Sequence, residues 1–367
     1  MITLDHGYGR FNIGVVIPTY NEYHNLVNLL PTLKNLDLDN VFVVDDDSQD
    51  GTCDLISRFP EVKFVIRKNQ RGLVSAELEG MRHAENDFLV VMDADFSHDP
   101  STIVNMVEYA IRSSADVVVG SRYIKNGNNG DRFSRKVISY VANKLVNLSF
   151  HPAVKDATSG FRVYSKKAYK FLSVEEKIKP GYTGQVDILE RLITAGFKCS
   201  EYPIAFTSRK TGRSKLKIRD LMDFFAFVAF RGNLLKYAIV GMSGIMVNEF
   251  VLYMLHGFHP VLADIVAIEV SITTNFFLND LWTFKNRKKQ FGFAKRIALH
   301  NVFSMLPGAV NFIFYFSLYL KGFEYLDANL LGIAAAYIVR YILSSSIVWG
   351  EKKSKVRSPE GEQFKSD

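Results

Sequence analysis

Short apolar runs alternate with longer stretches of helical spacing through residues 1–215. The runs "NIGVVIP" (12–18), "NVFVVDD" (40–46), "VKFVIR" (62–67), "DFLVVMD" (87–93) and "DVVVG" (116–120) are rich in Val and Ile and bounded by Asp, Asn, Gly or Pro. Such runs predict buried strands. Residues 22–36, 51–59, 71–86 and 100–113 carry helical spacing between them. Strands alternating with helices predict an α/β unit, a mostly parallel sheet covered on both faces. Beyond residue 233 the pattern changes. Four long apolar stretches, about 237–256, 261–284, 297–320 and 328–349, are each long enough to cross a bilayer. The expected second unit is an all-α transmembrane domain of four helices.

Composition adds little until position is considered. The 367 residues are 48% hydrophobic, and the net charge is +7. The basic residues fall in clusters, which suits phosphates and a membrane surface and argues against a nucleic-acid groove. Cys53 and Cys199 stand far apart without metal-type spacing, so a reduced pair and no disulfide is expected. The opening "MITLDHGYGRFNIG" lacks a basic-then-apolar leader pattern, and no solenoid repeat is visible. The loop "KNRKKQFGFAKR" (285–296) and the ending "EKKSKVR" (351–357) are strongly basic, while the other two connections are not. That asymmetry places both basic segments, and with them the front unit, on the cytoplasmic side.

In an open α/β sheet, ligands gather at the carboxyl ends of the strands. Polar clusters stand at four such ends: "PTYNE" (18–22), "VDDDSQDGT" (44–52), "DADFS" (93–97) and "GSRY" (120–123). Any one of them reads as a turn or a helix cap, and Ser48 and Asp50 are expected to cap the helix that follows them. Four at one edge point to a site. Asp93 and Asp95, one residue apart, repel each other unless a cation sits with them. A divalent ion with oxygen ligands, Mg2+ or Mn2+, completed by substrate phosphates, answers that repulsion. No glycine-rich loop follows the first strand, which argues against a dinucleotide dehydrogenase or a P-loop ATPase. A metal held by Asp-x-Asp without such a loop suits a nucleotide-sugar diphosphate.

Together, "PTYNE", "VDDDSQDGT" and "MDADFSH" resemble the family 2 glycosyltransferases of the GT-A fold, and more narrowly the polyprenyl-phosphate mannosyltransferases, the dolichyl-phosphate mannose synthases. The resemblance covers about residues 12–220. It implies that Pro18, Tyr20, Glu22, Val44 and Asp46 hold the nucleoside of GDP-mannose. It implies that Asp93, Asp95 and Ser97, with Ala94 alongside, hold the metal and diphosphate. Arg122 would lie near the donor sugar or phosphates. "FTSRKTGRSKLK" (206–217) resembles the family's basic closing loop, with Arg209 and Lys215 at its matching positions. Arg135 and Ser139, assisted by Arg122, would contact the phosphate of the lipid acceptor. Asp95, Arg122, Arg135, Ser139 and Lys215 are thus the expected catalytic set. Arg162, in "DATSGFRVYS" (156–165), is expected to be structural or to support the site. Asp187 stands where relatives often have Glu, and is read as a structural or metal-side residue rather than a base.

The stretch "RFSRKVISYVANKLVNL" (132–148) sets Val137, Val141, Leu145 and Leu148 on one helical face behind Arg135 and Lys136. That is the pattern of a helix at a membrane interface, or of an ordinary amphipathic core helix. "KLKIRDLMDFFAFVAFR" (215–231) reads as a second interfacial helix with Phe224, Phe225 and Phe227 near lipid. "LKYAIVGMSGIMVNEF" (235–250) with "NFFLNDLWTF" (275–284) resembles the GtrA-like membrane family. Glu249, Glu269 and Arg340 lie within spans and are expected to pair with one another or pack in the bundle. The expected organisation is a GT-A domain over 1–214, an interfacial linker over 215–233, a transmembrane domain over 234–350 and a polar, disordered tail within 351–367. The expected reaction is inverting transfer of mannose to a polyprenyl phosphate at the cytoplasmic membrane face, with GDP-mannose, the lipid phosphate and the bilayer as partners. A phosphate monoester, with a second pKa of about 6, is already anionic and needs no general base. The alternatives are another donor such as UDP-glucose, or a flippase or assembly partner of lipid-linked sugars.

Overall fold

The computed structural model describes residues 11–36, 38–131, 133–150, 154–175, 178–207, 218–285, 287 and 289–350. The chain divides into two compact units, Met1–Val228 and Ala229–Asp367.

The first unit is built on strands β1 (Ile13–Thr19), β2 (Asn40–Asp45), β3 (Val62–Ile66), β4 (Phe88–Val91), β5 (Val117–Ser121), β6 (Asn128–Asn129), β7 (Arg162–Ser165), β8 (Cys199–Pro203) and β9 (Ala205–Phe206). Its helices are α1 (Tyr23–Lys34), α2 (Thr52–Ile56), α3 (Leu73–His83), α4 (Thr102–Ser113), α5 (Phe133–Phe150), α6 (Lys166–Ser173) and α7 (Gly181–Thr194), and α8 (Ile218–Arg231) reaches the boundary. Seven strands form one sheet in the order β3-β2-β1-β4-β7-β5-β8, and β6 pairs with β9 separately. All five expected strands are present. Every residue of β1 is buried, as a strand covered on both faces must be. Burying each such Val or Ile is worth about 1.5–3 kcal/mol. The sheet has one antiparallel member, β7, inserted between β4 and β5. It brings Arg162 opposite both Val91 and Val119, next to the end of the strand that leads to Asp93.

Helix α3 lies unusually close to β1. A Cβ at Gly80 would come within 2.4 Å of Val16 Cγ1, so only glycine permits that approach. The same approach buries Glu77, one turn earlier on α3. The C-terminal half of α5 packs into the core through Val146, with Ala142, Leu145 and Phe150 against it. Its N-terminal half leaves Phe133, Val137, Ile138, Tyr140 and Val141 exposed. One helix therefore meets both descriptions, core at one end and an apolar exposed face at the other. Helix α8 departs from expectation. Phe224, Phe227 and Val228 belong to the core of the first unit, and only Phe225 of the three phenylalanines is exposed. Residue spacing could not separate a lipid-facing stripe from a core-facing one, since both are apolar.

Among its described residues the second unit has four helices long and apolar enough to cross a membrane: α9 (Asn233–Met254), α10 (Pro260–Leu278), α11 (Phe293–Tyr319) and α12 (Tyr325–Leu343). Short π-helical segments, Asn279–Thr283 and Ser344–Val348, extend α10 and α12. The residue after each is a buried aromatic, and those two, Phe284 and Trp349, stack with centroids 4.7 Å apart. Large apolar side chains such as Ile245, Met246, Phe250, Met305 and Phe312 face outward. Asn275, Asn279, Arg296, His300, Ser344 and Ser345 are buried. This arrangement suits lipid as the surrounding solvent. Glu249 and Glu269 are exposed, and Arg340 bonds the Ser304 hydroxyl, so among the described residues the three do not pair with one another, and Arg340 instead takes the other expected role, packing between α11 and α12. The basic loop before α11 also turns inward: Arg287 donates to the Ser345 carbonyl and hydroxyl, and Asp280 collects Lys289 and Arg296. The tail over 351–367 lies outside the described residues.

Candidate active site

The loops after β1 and β2 are sewn together by side chains. Asp45 is fully buried and accepts from Thr19 Oγ1, Ser48 N and Ser48 Oγ at 2.6–2.8 Å. Ser48 in turn accepts from Asn21 N, and Asn21 Oδ1 from Gln49 N. Asn21 takes a left-handed φ of 54°, which Asn tolerates better than most residues. Ser48 is thus a loop clasp and not a helix cap, because Gly51 is the residue before α2. Asp50 serves both helices: Oδ1 accepts from Thr52 N and Oγ1, and Oδ2 from Tyr23 N at the start of α1.

Within this frame the expected nucleoside residues lie together. Pro18 and Val44 are register partners across β1 and β2, and both are buried. Tyr20 lies under the Arg71 guanidinium, 4.3 Å from the ring centre. Glu22 accepts from Asn25 Nδ2 at 2.6 Å. Asp46 is the surprise. Its Oδ1 takes Nε and Nη2 of buried Arg67, and its Oδ2 takes Gly72 N at 2.8 Å. Of the three consecutive aspartates, the first is a structural knot and the second half of a buried ion pair.

The Asp-x-Asp motif follows β4. Ala94 and Asp95 are buried, and Asp95 Oδ1 accepts from Ser97 N at 3.0 Å. Ser97 Oγ is buried without a hydrogen-bond partner. Among the described residues no group of three or more His, Cys, Asp or Glu forms a metal cage. Two carboxylates and one orphaned hydroxyl make an oxygen-only donor set, which fits a Mg2+ or Mn2+ ion that keeps positions for substrate phosphate. Thr207 ties the chain to this motif, donating its N to the Ser97 carbonyl and its Oγ1 to the Phe96 carbonyl. The expected closing loop therefore departs from the Asp-x-Asp motif itself. Arg209 and Lys215, on that loop, lie outside the described residues.

Arg122, after β5, is clamped. Nε and Nη2 each donate to Asp156 at 2.7 Å, Nη2 also reaches Thr158 Oγ1, and the Arg122 main-chain N–H bonds Asp156 as well. Burial disfavours the guanidinium charge, but Asp156 more than offsets it, and the pKa of Arg122 is held above its ordinary value. Asp156 is further held by Asn143 of α5. The next residue, Tyr123, donates to Ser139 Oγ at 2.8 Å. Arg135, one turn before Ser139, is half-exposed, 3.9 Å from Asp131. The structure thus joins Arg122 to Ser139 through Tyr123. Sequence reading missed Asp156, Tyr123 and Asn143, because each looks like ordinary loop or helix polarity until β5, α5 and the 156–159 turn meet.

Arg162 is fully buried and donates to the carbonyls of Ser159, Gln185 and Ala157, which makes it a structural clamp, one of the two roles expected. Asp187 is also structural: it accepts from Lys179 N and from Arg191 Nε, both at 3.0 Å. Glu77 was not foreseen at all. It accepts from Gln185 Nε2 at 2.7 Å, and burial pushes its carboxyl up to about 8, with Arg162 pulling down and Asp93 pushing up. A carboxyl raised from its ordinary value of 4.5 in the folded state contributes stability that is full below about pH 4.5 and is lost as pH rises through about 8. Glu77→Gln is expected to abolish that loss. Urea unfolding at pH 6 and pH 8.5 should show the wild type weakening by a few kcal/mol and the variant staying level. Parallel behaviour of the two proteins would refute it.

Residues 14–172 match the family described as Glycosyl transferase family 2, and residues 236–349 match the GtrA/DPMS transmembrane domain. Across 359 residues, 92% of this chain and 99% of the relative, the chain is 36% identical to the dolichol-phosphate mannosyltransferase of Pyrococcus furiosus. It belongs to the dolichol-phosphate mannosyltransferase family. It is also 33% identical to the polyprenol monophosphomannose synthase of Mycolicibacterium smegmatis, over 60% of this chain and 88% of that one. Among solved structures, glucosyl-3-phosphoglycerate synthase from Mycobacterium tuberculosis, in complex with Mn2+ and UDP, matches 59% of this chain and 76% of that chain at TM-score 0.47 and 16% identity. This mannosyltransferase-family chain is an enzyme with a GT-A-like sheet joined to a four-helix membrane domain.

Proposed function

We propose that the chain transfers mannose from GDP-mannose to a polyprenyl phosphate, with inversion, at the cytoplasmic face of the membrane. Two relatives with mannose synthase or mannosyltransferase names, one matching almost end to end, support the reaction class. The observation that carries the chemistry is an oxygen-only acidic motif after β4 on the same sheet as Arg122, which follows β5 on the far side of β7 and is tied through Tyr123 to Ser139 of α5, the helix that also carries Arg135.

Asp93, Asp95 and Ser97 would hold the Mg2+ or Mn2+, which when bound neutralises charge on the leaving diphosphate. Pro18, Tyr20, Glu22, Val44 and Asp46 hold the nucleoside. Asp46 with Arg67 offers an acceptor beside a donor, and a guanine edge carries both kinds of group. Arg122 and Arg135 neutralise the acceptor phosphate, and Ser139 fixes one of its oxygens. Because Asp156 and Tyr123 hold Arg122 and Ser139 before substrate arrives, little reorganisation is needed. The acceptor is already an anion, so its oxygen attacks the anomeric carbon directly, and positioning does the work of a base. Arg209 and Lys215 close over the donor. The 1–214 and 234–350 segments divide catalysis from anchoring, with 215–233 between them.

The test is detergent-purified full-length protein with labelled GDP-mannose, a polyprenyl phosphate and Mg2+ or Mn2+. Metal-dependent label in the lipid phase, not diluted by excess UDP-glucose, is expected. Transfer from a UDP-sugar in place of GDP-mannose would overturn the donor assignment and leave the acceptor chemistry standing.

A further inference from the structure

The membrane unit contains a group of partly buried donors, Arg340, Ser304 and buried His300, whose complement is missing. Arg340 on α12 donates Nη2 to Ser304 Oγ on α11 at 2.8 Å, and its Nε is buried without a partner. His300, one turn before Ser304, is 1% exposed, and neither ring nitrogen has a hydrogen bond of ordinary geometry, the main chain of Ile272 being the one group that approaches it. The guanidinium of Arg340 is within its electrostatic reach. Tyr237 of α9 lies within reach of Arg340 and shares a hydrogen bond with Ser344 at 2.8 Å. Among the described residues no carboxylate pairs with Arg340. Asp280, the nearby acid of α10, already holds Lys289, Arg296 and Trp349 Nε1.

Depth makes this costly. Ser304 is eleven residues into α11, about 17 Å along its axis at 1.5 Å per residue. A guanidinium bonded to it sits well inside a span, where a charge without a counter-ion is expensive and marks a functional site by default. Water would satisfy the orphan donors but would not cancel the charge. An oxyanion would do both, and Arg is the side chain best shaped to hold phosphate. The outward faces of α11 and α12 are largely exposed apolar surface, so the approach is from the bilayer, and an amphiphile with a phosphate head can make it.

We propose that Arg340, His300 and Ser304 form an intramembrane site for the phosphate head of an anionic lipid, separate from the catalytic unit. The lipid's tail stays in the bilayer, and its head supplies the acceptor oxygens that these donors lack. The site is independent of which sugar donor the catalytic unit uses.

Trp349 is the local reporter. Its ring lies 5.4 Å from His300, and the chain has two tryptophans, Trp282 and Trp349, both in the membrane unit. Full-length Trp282→Phe protein in an uncharged detergent would be titrated with dodecyl phosphate and, separately, with inorganic phosphate. A saturable change in Trp349 emission with dodecyl phosphate only is expected, weakened at least about tenfold in Arg340→Met as a charge-assisted bond is lost. Should Arg340→Met not assemble, Ser304→Ala, which keeps the charge and frees the guanidinium, must still shift the apparent affinity. No saturable change, or an affinity indifferent to either variant, overturns the site. An equal response to inorganic phosphate overturns the lipid as its occupant. Failure of the mannosyl-transfer assay leaves this readout untouched, since the catalytic unit has no tryptophan.

Discussion

Asp95→Asn should lower mannosyl transfer by at least about 10²–10³-fold while leaving the protein folded. The replacement keeps size and shape. Its side-chain oxygen can still accept from Ser97 N, the bond that shapes the turn. What disappears is one of the two negative charges that would hold the divalent ion. The loss should therefore show as a rightward shift in the metal titration together with a fall in kcat at saturating metal. An unchanged thermal melt without metal separates this from unfolding. A variant within tenfold of wild type at low metal would sink the assignment of Asp95.

Asp156→Ala should be the most destabilising single change at the site, by about 3–5 kcal/mol. Asp156 is fully buried, and the Arg122 side chain is only 10% exposed. Removing the acid strands that guanidinium, the Arg122 main-chain N–H and the Asn143 amide at once. Activity should fall with it, since Arg122 would no longer be held ready for the phosphate. The double variant Asp156→Ala with Arg122→Met should recover part of the lost stability, because no buried charge is then left alone. Urea unfolding of both single variants and the pair measures the coupling. A cost for Asp156→Ala below about 1 kcal/mol, or no recovery in the pair, would show that the clamp is not what organises this edge.

The α/β order was legible because its signal is local. A run such as "GVVIP" buried on both faces needs only Val and Ile at successive positions, and β1 lies within one residue of its expected bounds. The four spans were legible for the same reason, since crossing a bilayer demands length and apolarity alone. Reading the motifs located the polar loops but not the division of labour inside them. "DDD" shows three identical acids, and only the contacts separate Asp45, tied to Ser48, from Asp46, paired with Arg67.

Two units of opposite solvent preference, the strand ends that carry polar residues and the acidic motif were all readable along the chain, because they follow from periodicity and from charges close in sequence. Folding in three dimensions settled that β7 enters antiparallel beside β4, that Asp156 reaches Arg122 across 34 positions, that Phe224 and Phe227 turn to the core, that Glu77 is buried and that Arg340 meets Ser304. Those outcomes depend on what stands opposite a side chain. Burial and pairing set the cost of a charge or an aromatic ring, and that cost is a property of neighbours distant in sequence.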